Sequence, residues 1–255
     1  MGTCCSRVCP CVRDRSGEYE RILQNDANNP YPQYVPQQGA SGHSTGWQPS
    51  RPVNFGIEAG LRKITVNRVG VEDIDKQFKE HAEVFNDSYD RFNQLCTCYT
   101  RMLSSYESRG STNSNLTQVF KTYKDELEDF QKKSIEIKRR HQYCMQLHFN
   151  GDKIPGDGAQ MFEDFNLANL ITKDITEKGP NIIRNTFALV NNEENFKQRI
   201  VDYYSPEQGK VQEKLQICVD NIAELKNVKP FMEYMRRETS EMFDDLRESI
   251  RVFAK

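Results

Sequence analysis

At 255 residues the chain is long enough for one large domain or two small ones. It carries 35 basic and 37 acidic residues, a net charge of −2, so bulk charge gives no nucleic-acid footprint. Hydrophobic content of 36% and a mean hydropathy of −0.79 suit long helices with much surface for their core, and no run of about 18 apolar residues could span a bilayer.

The first eleven residues, Met1-Gly2-Thr3-Cys4-Cys5-Ser6-Arg7-Val8-Cys9-Pro10-Cys11, hold four of the eight cysteines. With Met1 removed, Gly2 offers the amine for myristoylation and Ser6 the hydroxyl of M-G-x-x-x-[ST]. Cys4, Cys5, Cys9 and Cys11 then lie within reach of a membrane-bound palmitoyl transferase. One myristoyl chain binds only reversibly, and a second acyl chain makes attachment stable. A zinc site is disfavoured by the C-C and C-P-C spacings and by the lack of histidine before His43, and the start has no apolar core of a secretory signal. The expectation is a chain tethered to the cytoplasmic face of a plasma or endosomal membrane. The sequons at Asn86 and Asn115 would then go unused.

Residues 12–52 read as a disordered linker, with prolines and polar residues interleaved from Asn28 to Gly39. Tyr19-Glu20-Arg21-Ile22 has the form of an adaptin sorting signal. Pro49-Ser50-Arg51-Pro52 is a minimal PxxP that an SH3 or other adaptor protein could read.

Residues 53–255 form the body. Before its first helix, Phe55 to Arg68 sets Ile57, Leu61 and Ile64 on one helical face with Arg62, Lys63 and Arg68 away from it. This fits an interfacial amphipathic helix, although its glycines and β-branched residues also allow an extended lead-in. From residue 70 the apolar period becomes that of long helices. Val71, Ile74, Phe78, Phe85, Phe92, Leu95, Tyr99, Met102 and Tyr106 form one seam, interrupted by His81 and Ser88. After a turn at 109–115, a second seam runs through Leu116, Phe120, Tyr123, Leu127, Phe130, Ile137 and Cys144, with Ser134, His141 and His148 at seam positions. Residues 150–158 read as a loop, followed by a short helix from Met161 to Glu177 ended by Lys178-Gly179-Pro180, and another from about Asn181. Ser205-Pro206-Glu207 opens the last helix. Its seam is Val211, Leu215, Cys218, Ile222, Leu225, Val228, Met232, Met235, Met242, Leu246 and Phe253, carried through Pro230 as one kinked helix. No strand pattern stands out, so the fold class is all-α: an elongated bundle of long coiled-coil-like helices behind a disordered N-terminal tail. Helices of about 35 to 45 residues would reach roughly 50 to 65 Å, and a second copy is the simplest cover for seams of that length.

No catalytic constellation is present. The P-loop, dinucleotide, nucleophile-elbow and H-E-x-x-H patterns are all missing, and the four histidines are scattered. The expectation is no enzyme, no cofactor and no metal. One charged block remains. Lys132, Lys133, Lys138, Arg139 and Arg140 on the second long helix could meet anionic lipid headgroups, or could be a solvated face.

The stretch from Gly70 to Phe120 carries a resemblance, through Asp75-Lys76-Gln77-Phe78, Phe85-Asn86, Leu95, Tyr99, Leu103, Leu116 and Val119-Phe120. It is similar to the first long helix of amphiphysin-like domains of the BAR superfamily, where an amphipathic segment precedes that helix. The resemblance implies an elongated, crescent-shaped homodimer that binds curved membrane phospholipid through basic residues. Leu61, Arg62, Lys63, Ile64 and Arg68 have positional counterparts in that lead-in. Lys132, Lys133, Lys138, Arg139 and Arg140 are similar in character to the family's lipid-facing cations. The span from Asp73 to Lys255 is shorter than the family usually has, and it is nearly neutral. Two functions follow as expectations: a lipid-anchored, BAR-like protein that senses or shapes membranes in trafficking or at the cell cortex, or an acylated coiled-coil adaptor that recruits protein partners.

Overall fold

The computed structural model describes residues 60–107, 115–127, 135–141, 144–149, 154 and 158–253, all within the unit Trp47–Lys255. The described part is mostly helical, in keeping with an all-α class, with one two-stranded hairpin.

Helix α1 is Glu72–Glu107. Glu72, Asp73 and Asp75 in its first turn complement the partial positive charge of a helix start. The first seam is buried as read, from Val71, Ile74, Phe78, Phe85 and Phe92 to Leu95, Tyr99 and Met102. Its polar interruptions are accommodated in place. Ser88 Oγ donates to the Val84 carbonyl at 3.2 Å, and His81 Nδ1 meets Thr186 Oγ1 at 3.2 Å.

Helix α2, Leu116–Glu126, starts at Asn115, whose side chain accepts from Gln118 N at 2.9 Å. Leu116, Phe120, Tyr123 and Leu127 of the second seam are buried. The expected long helix does not continue to Cys144. It gives way to an antiparallel hairpin, β1 (Ile135–His141) and β2 (Cys144–Phe149), with Ile135 opposite Phe149 and Ile137 opposite Leu147. The sequence there also alternates with period two: Met145 and Leu147 are buried while Gln146 and His148 are partly exposed. The heptad matches at Ile137 and Cys144 were accidental. Phe130 and Ser134 lie outside the described residues.

Helix α3 runs Gly158–Val190 without the break expected at Lys178-Gly179-Pro180. Ile171, Ile175, Ile182, Thr186 and Leu189 keep one buried face on both sides of Pro180. Burial along that face outweighs the hydrogen bond that Pro180 cannot make. Gly179 lets the neighbouring helix approach closely, since a Cβ there would lie 2.6 Å from Arg236 Cδ.

Helices α4 (Glu193–Tyr204), α5 (Gln208–Lys226) and α6 (Val228–Ile250) follow, with a 3-10 turn at Arg251–Phe253. The last seam is divided between α5 and α6 at Asn227, which keeps helical angles of φ −73 and ψ −16. Its buried register carries on through Cys218, Ile222, Leu225, Val228, Met232, Met235, Met242 and Leu246. Pro230 falls in the first turn of α6, where the missing N–H matters least.

The core sits between α1, α3 and α6. Arg91–Asp174 at 2.9 Å and Arg101–Asp164 at 3.1 Å tie α1 to α3. Phe85–Phe231 rings at 6.1 Å and the 2.5 Å Tyr99–Asp245 hydrogen bond tie α1 to α6. At one end Phe120, Phe149, Phe162 and Phe253 form an edge-to-face and tilted cluster with centroids 5.3 to 6.2 Å apart.

Candidate functional site: the strap leading into the helical body

Leu61 to Val69 form neither an amphipathic helix nor a regular strand. They run as a strap without regular secondary structure across α1 and α5, so of the two lead-ins the sequence allows, Leu61, Arg62, Lys63, Ile64 and Arg68 adopt the one that is not a helix. Ile64 is buried, and Leu61 and Val66 pack partly against the core. Burial of these side chains in the protein, together with the helix-poor glycines and β-branched residues, keeps the segment out of a helix.

Two asparagines bind the strap by its backbone. Asn86 of α1 accepts from Ile64 N at 2.8 Å and donates to the Ile64 carbonyl at 2.9 Å. Asn221 of α5 does the same for Asn67, with both bonds at 2.8 Å. Each side-chain amide supplies one donor and one acceptor, so each behaves like a single rung of a β-ladder. Asn166 of α3 repeats the device on Leu147 of β2, at 2.8 and 2.9 Å. The Asn86 sequon therefore has its amide engaged on both sides.

The cations of the strap are mostly paired. Arg62 meets Glu224 through two bonds of 2.6 and 2.7 Å, and this hydrogen-bonded fork raises the arginine and holds the Glu224 carboxyl below its usual range. Lys63 Nζ lies 2.8 Å from Asp90 Oδ2. Arg68 is exposed and forms no ion pair among the described residues.

The end of the strap next to α1 is held differently. Val69, fully buried, and Gly70 donate their N–H groups to the two Asp75 carboxylate oxygens at 2.7 and 2.9 Å. Tyr204 OH donates to the Val69 carbonyl at 3.1 Å. Gly70 has φ +95, and a Cβ there would fall 2.2 Å from Tyr204 OH, so both conformation and space demand glycine.

The other sequence-derived site residues divide into two groups. Lys138, Arg139 and Arg140 are on β1 rather than on a helix. Lys132 and Lys133, the anchor residues Gly2, Cys4, Cys5, Cys9 and Cys11, and both linker motifs lie outside the described residues. The structure brings Arg62, Lys63 and Ile64 together on one strap.

No protein-family model, no curated protein and no solved structure matches this chain.

Burial disfavours the thiolate form of the thiols described in the body. Burial, with the Glu238 charge second, pushes Cys96 up to about 12, and burial pushes Cys98 and Cys218 up to about 11. Among the described residues no cluster of three or more His, Cys, Asp or Glu side chains is arranged to hold a metal ion. Asp164, whose side chain is 5% exposed, is engaged by Arg101 at 3.1 Å and by Gln160 at 3.3 Å, a structural pairing across the α1–α3 seam. Sequence reading missed the asparagine clamps, because an isolated Asn on a helix carries no pattern. The one available signal was for Asn221, which lies three residues after Cys218 and four before Leu225 on the apolar face, whereas Asn86 sits one residue off the first seam.

Proposed function

We propose that this chain is a lipid-anchored helical adaptor on the cytoplasmic face of a membrane. The observation that carries the reading is the start Gly2-Thr3-Cys4-Cys5-Ser6, where a myristoylation signal and two cysteines coincide. Burial of Cys98 and Cys218 in the body supports it, since it closes those two thiols to a membrane-bound acyl transferase. Acylation of Gly2 and of Cys4 or Cys5 supplies the two hydrophobic signals that stable anchoring needs. The body then serves to recruit protein, because two of the three lead-in cations are engaged within the fold and Ile64 is in its core.

A second reading keeps the body at the membrane surface as a BAR-like dimer that senses or shapes phospholipid bilayers. The lengths of α1 and α3, 36 and 33 residues or roughly 54 and 50 Å, favour it, because they suit packing along a shared seam. Co-sedimentation of the full, unacylated chain with small anionic liposomes at low salt separates the two. The adaptor stays in the supernatant, whereas binding or tubulation without acyl chains would replace this reading with the BAR-like one.

A further inference from the structure

Helices packed against one another interdigitate side chains, but α1 and α5 meet the strap through groups that recognise main chain. Asn86 and Asn221 each bind the N–H and C=O of one strap residue and ignore its side chain. Recognition of an extended segment by its backbone, with pockets for selected side chains, is the physics of peptide capture by strand addition. The side-chain selectivity is also present. Glu224 and Asp90 receive two consecutive cations, and the body buries the aliphatic residue that follows them.

The two ends of the strap are held unequally. Near α1, Val69 and Gly70 are fixed by Asp75, by Tyr204 and by the left-handed glycine. Toward Gly60 the holds are the Asn clamps, the buried Ile64, the partly buried Leu61 and Val66, and two solvent-exposed ion pairs, whose side chains are 51% and 30% exposed for Arg62–Glu224 and 52% and 56% for Lys63–Asp90. Exposed pairs of this kind add little stability and are screened by salt. Any release of the strap would thus begin at the Gly60 end, with Val69 and Gly70 still held against α1.

We infer that the groove formed by Asn86, Asp90, Asn221 and Glu224 is a docking site for a linear segment of a partner protein, occupied in cis by residues 61–67. The segment it takes is extended, with two adjacent cations, then an aliphatic residue, then a further backbone rung three residues later. The inference extends the adaptor reading by giving the body a recruitment site. It does not depend on acylation, so a failed anchor and a failed groove are separate results.

The test uses the full chain, unacylated, and a fluorescent peptide of strap sequence, Gly-Leu-Arg-Lys-Ile-Thr-Val-Asn-Arg-Val-Gly-Val, as the probe. Ile64→Ala weakens the strap and leaves the groove untouched. Apparent affinity scales with the open fraction, so this chain should bind the peptide about tenfold or more tighter than the unaltered chain. Adding Glu224→Arg should reverse the charge preference, so that a peptide carrying Arg62→Glu binds better than the native peptide. An Ile64→Ala chain with undiminished helical circular dichroism that binds no better than the unaltered chain would overturn the inference. So would a charge preference that ignores residue 224. If Ile64→Ala costs the helical signal, the doubly substituted Arg62→Glu, Lys63→Glu chain, altered only at exposed pairs, is read by the same criteria. Self-association of the weakened chain that the peptide disperses would support the groove and make a second copy of this chain the partner.

Discussion

Replacing Asn221 with alanine removes both hydrogen bonds that fasten Asn67 to α5, each 2.8 Å long. Asn221 is 1% exposed, so nothing on the helix side can take over its role. A typical intramolecular hydrogen bond contributes about 1 kcal/mol net, and a buried polar group left unpaired costs about 1–3 kcal/mol. Asn67 itself is exposed, so water can reach its freed N–H and C=O and offset part of the penalty. The expected loss is therefore about 2 kcal/mol, measured as a fall in the urea midpoint with an unchanged slope. Arg62→Ala, which removes two bonds of similar length at the surface, should cost under about 1 kcal/mol. The contrast is the test. If Asn221→Ala and Arg62→Ala are equally mild, the strap is not held by its backbone clamps and the account of the lead-in fails.

Gly70→Ala should destabilise the body by about 2 kcal/mol or more, because φ +95 strains any L side chain and the new methyl displaces Tyr204 OH from Val69; a neutral result would contradict the close approach. His81 has its pKa lowered by burial, so the folded chain holds its proton less well than the unfolded chain. Its contribution is then full above about pH 6.5 and is lost as pH falls below that value. Urea midpoints between pH 7.5 and 5 should fall more steeply for the unaltered chain than for His81→Gln, and parallel slopes would refute the assignment. Alkylation of the folded, unacylated chain near pH 7.5 should reach Cys96, Cys98 and Cys218 about a hundredfold more slowly than the cysteines of residues 4–11, as read by peptide mass mapping. Comparable rates would remove the body's cysteines as support for a terminal acylation site.

The helical seams were legible because burial imposes a period, and Phe78, Phe85, Phe92 and Leu95 obey it without exception. The same reasoning overreached after Leu127, where Ile137 and Cys144 fitted a heptad by chance while Met145 and Leu147 followed the two-residue period of a strand. At Pro180 a local rule predicted a stop. The buried face running from Ile175 to Ile182 was the stronger signal, and it was visible in the sequence. The strap was harder to read. Arg62, Lys63 and Ile64 look the same whether they face a lipid surface or lie on Glu224, Asp90 and the core. Their partners are distant in sequence, and a clamp by a single side-chain amide leaves no repeat to find.

Anchoring is read directly by mass spectrometry of the N-terminal peptide from the full chain isolated from eukaryotic cells. A myristoylated Gly2 together with a hydroxylamine-sensitive acyl thioester on Cys4 or Cys5 is the expected result. A free or acetylated N terminus with unmodified cysteines would contradict it.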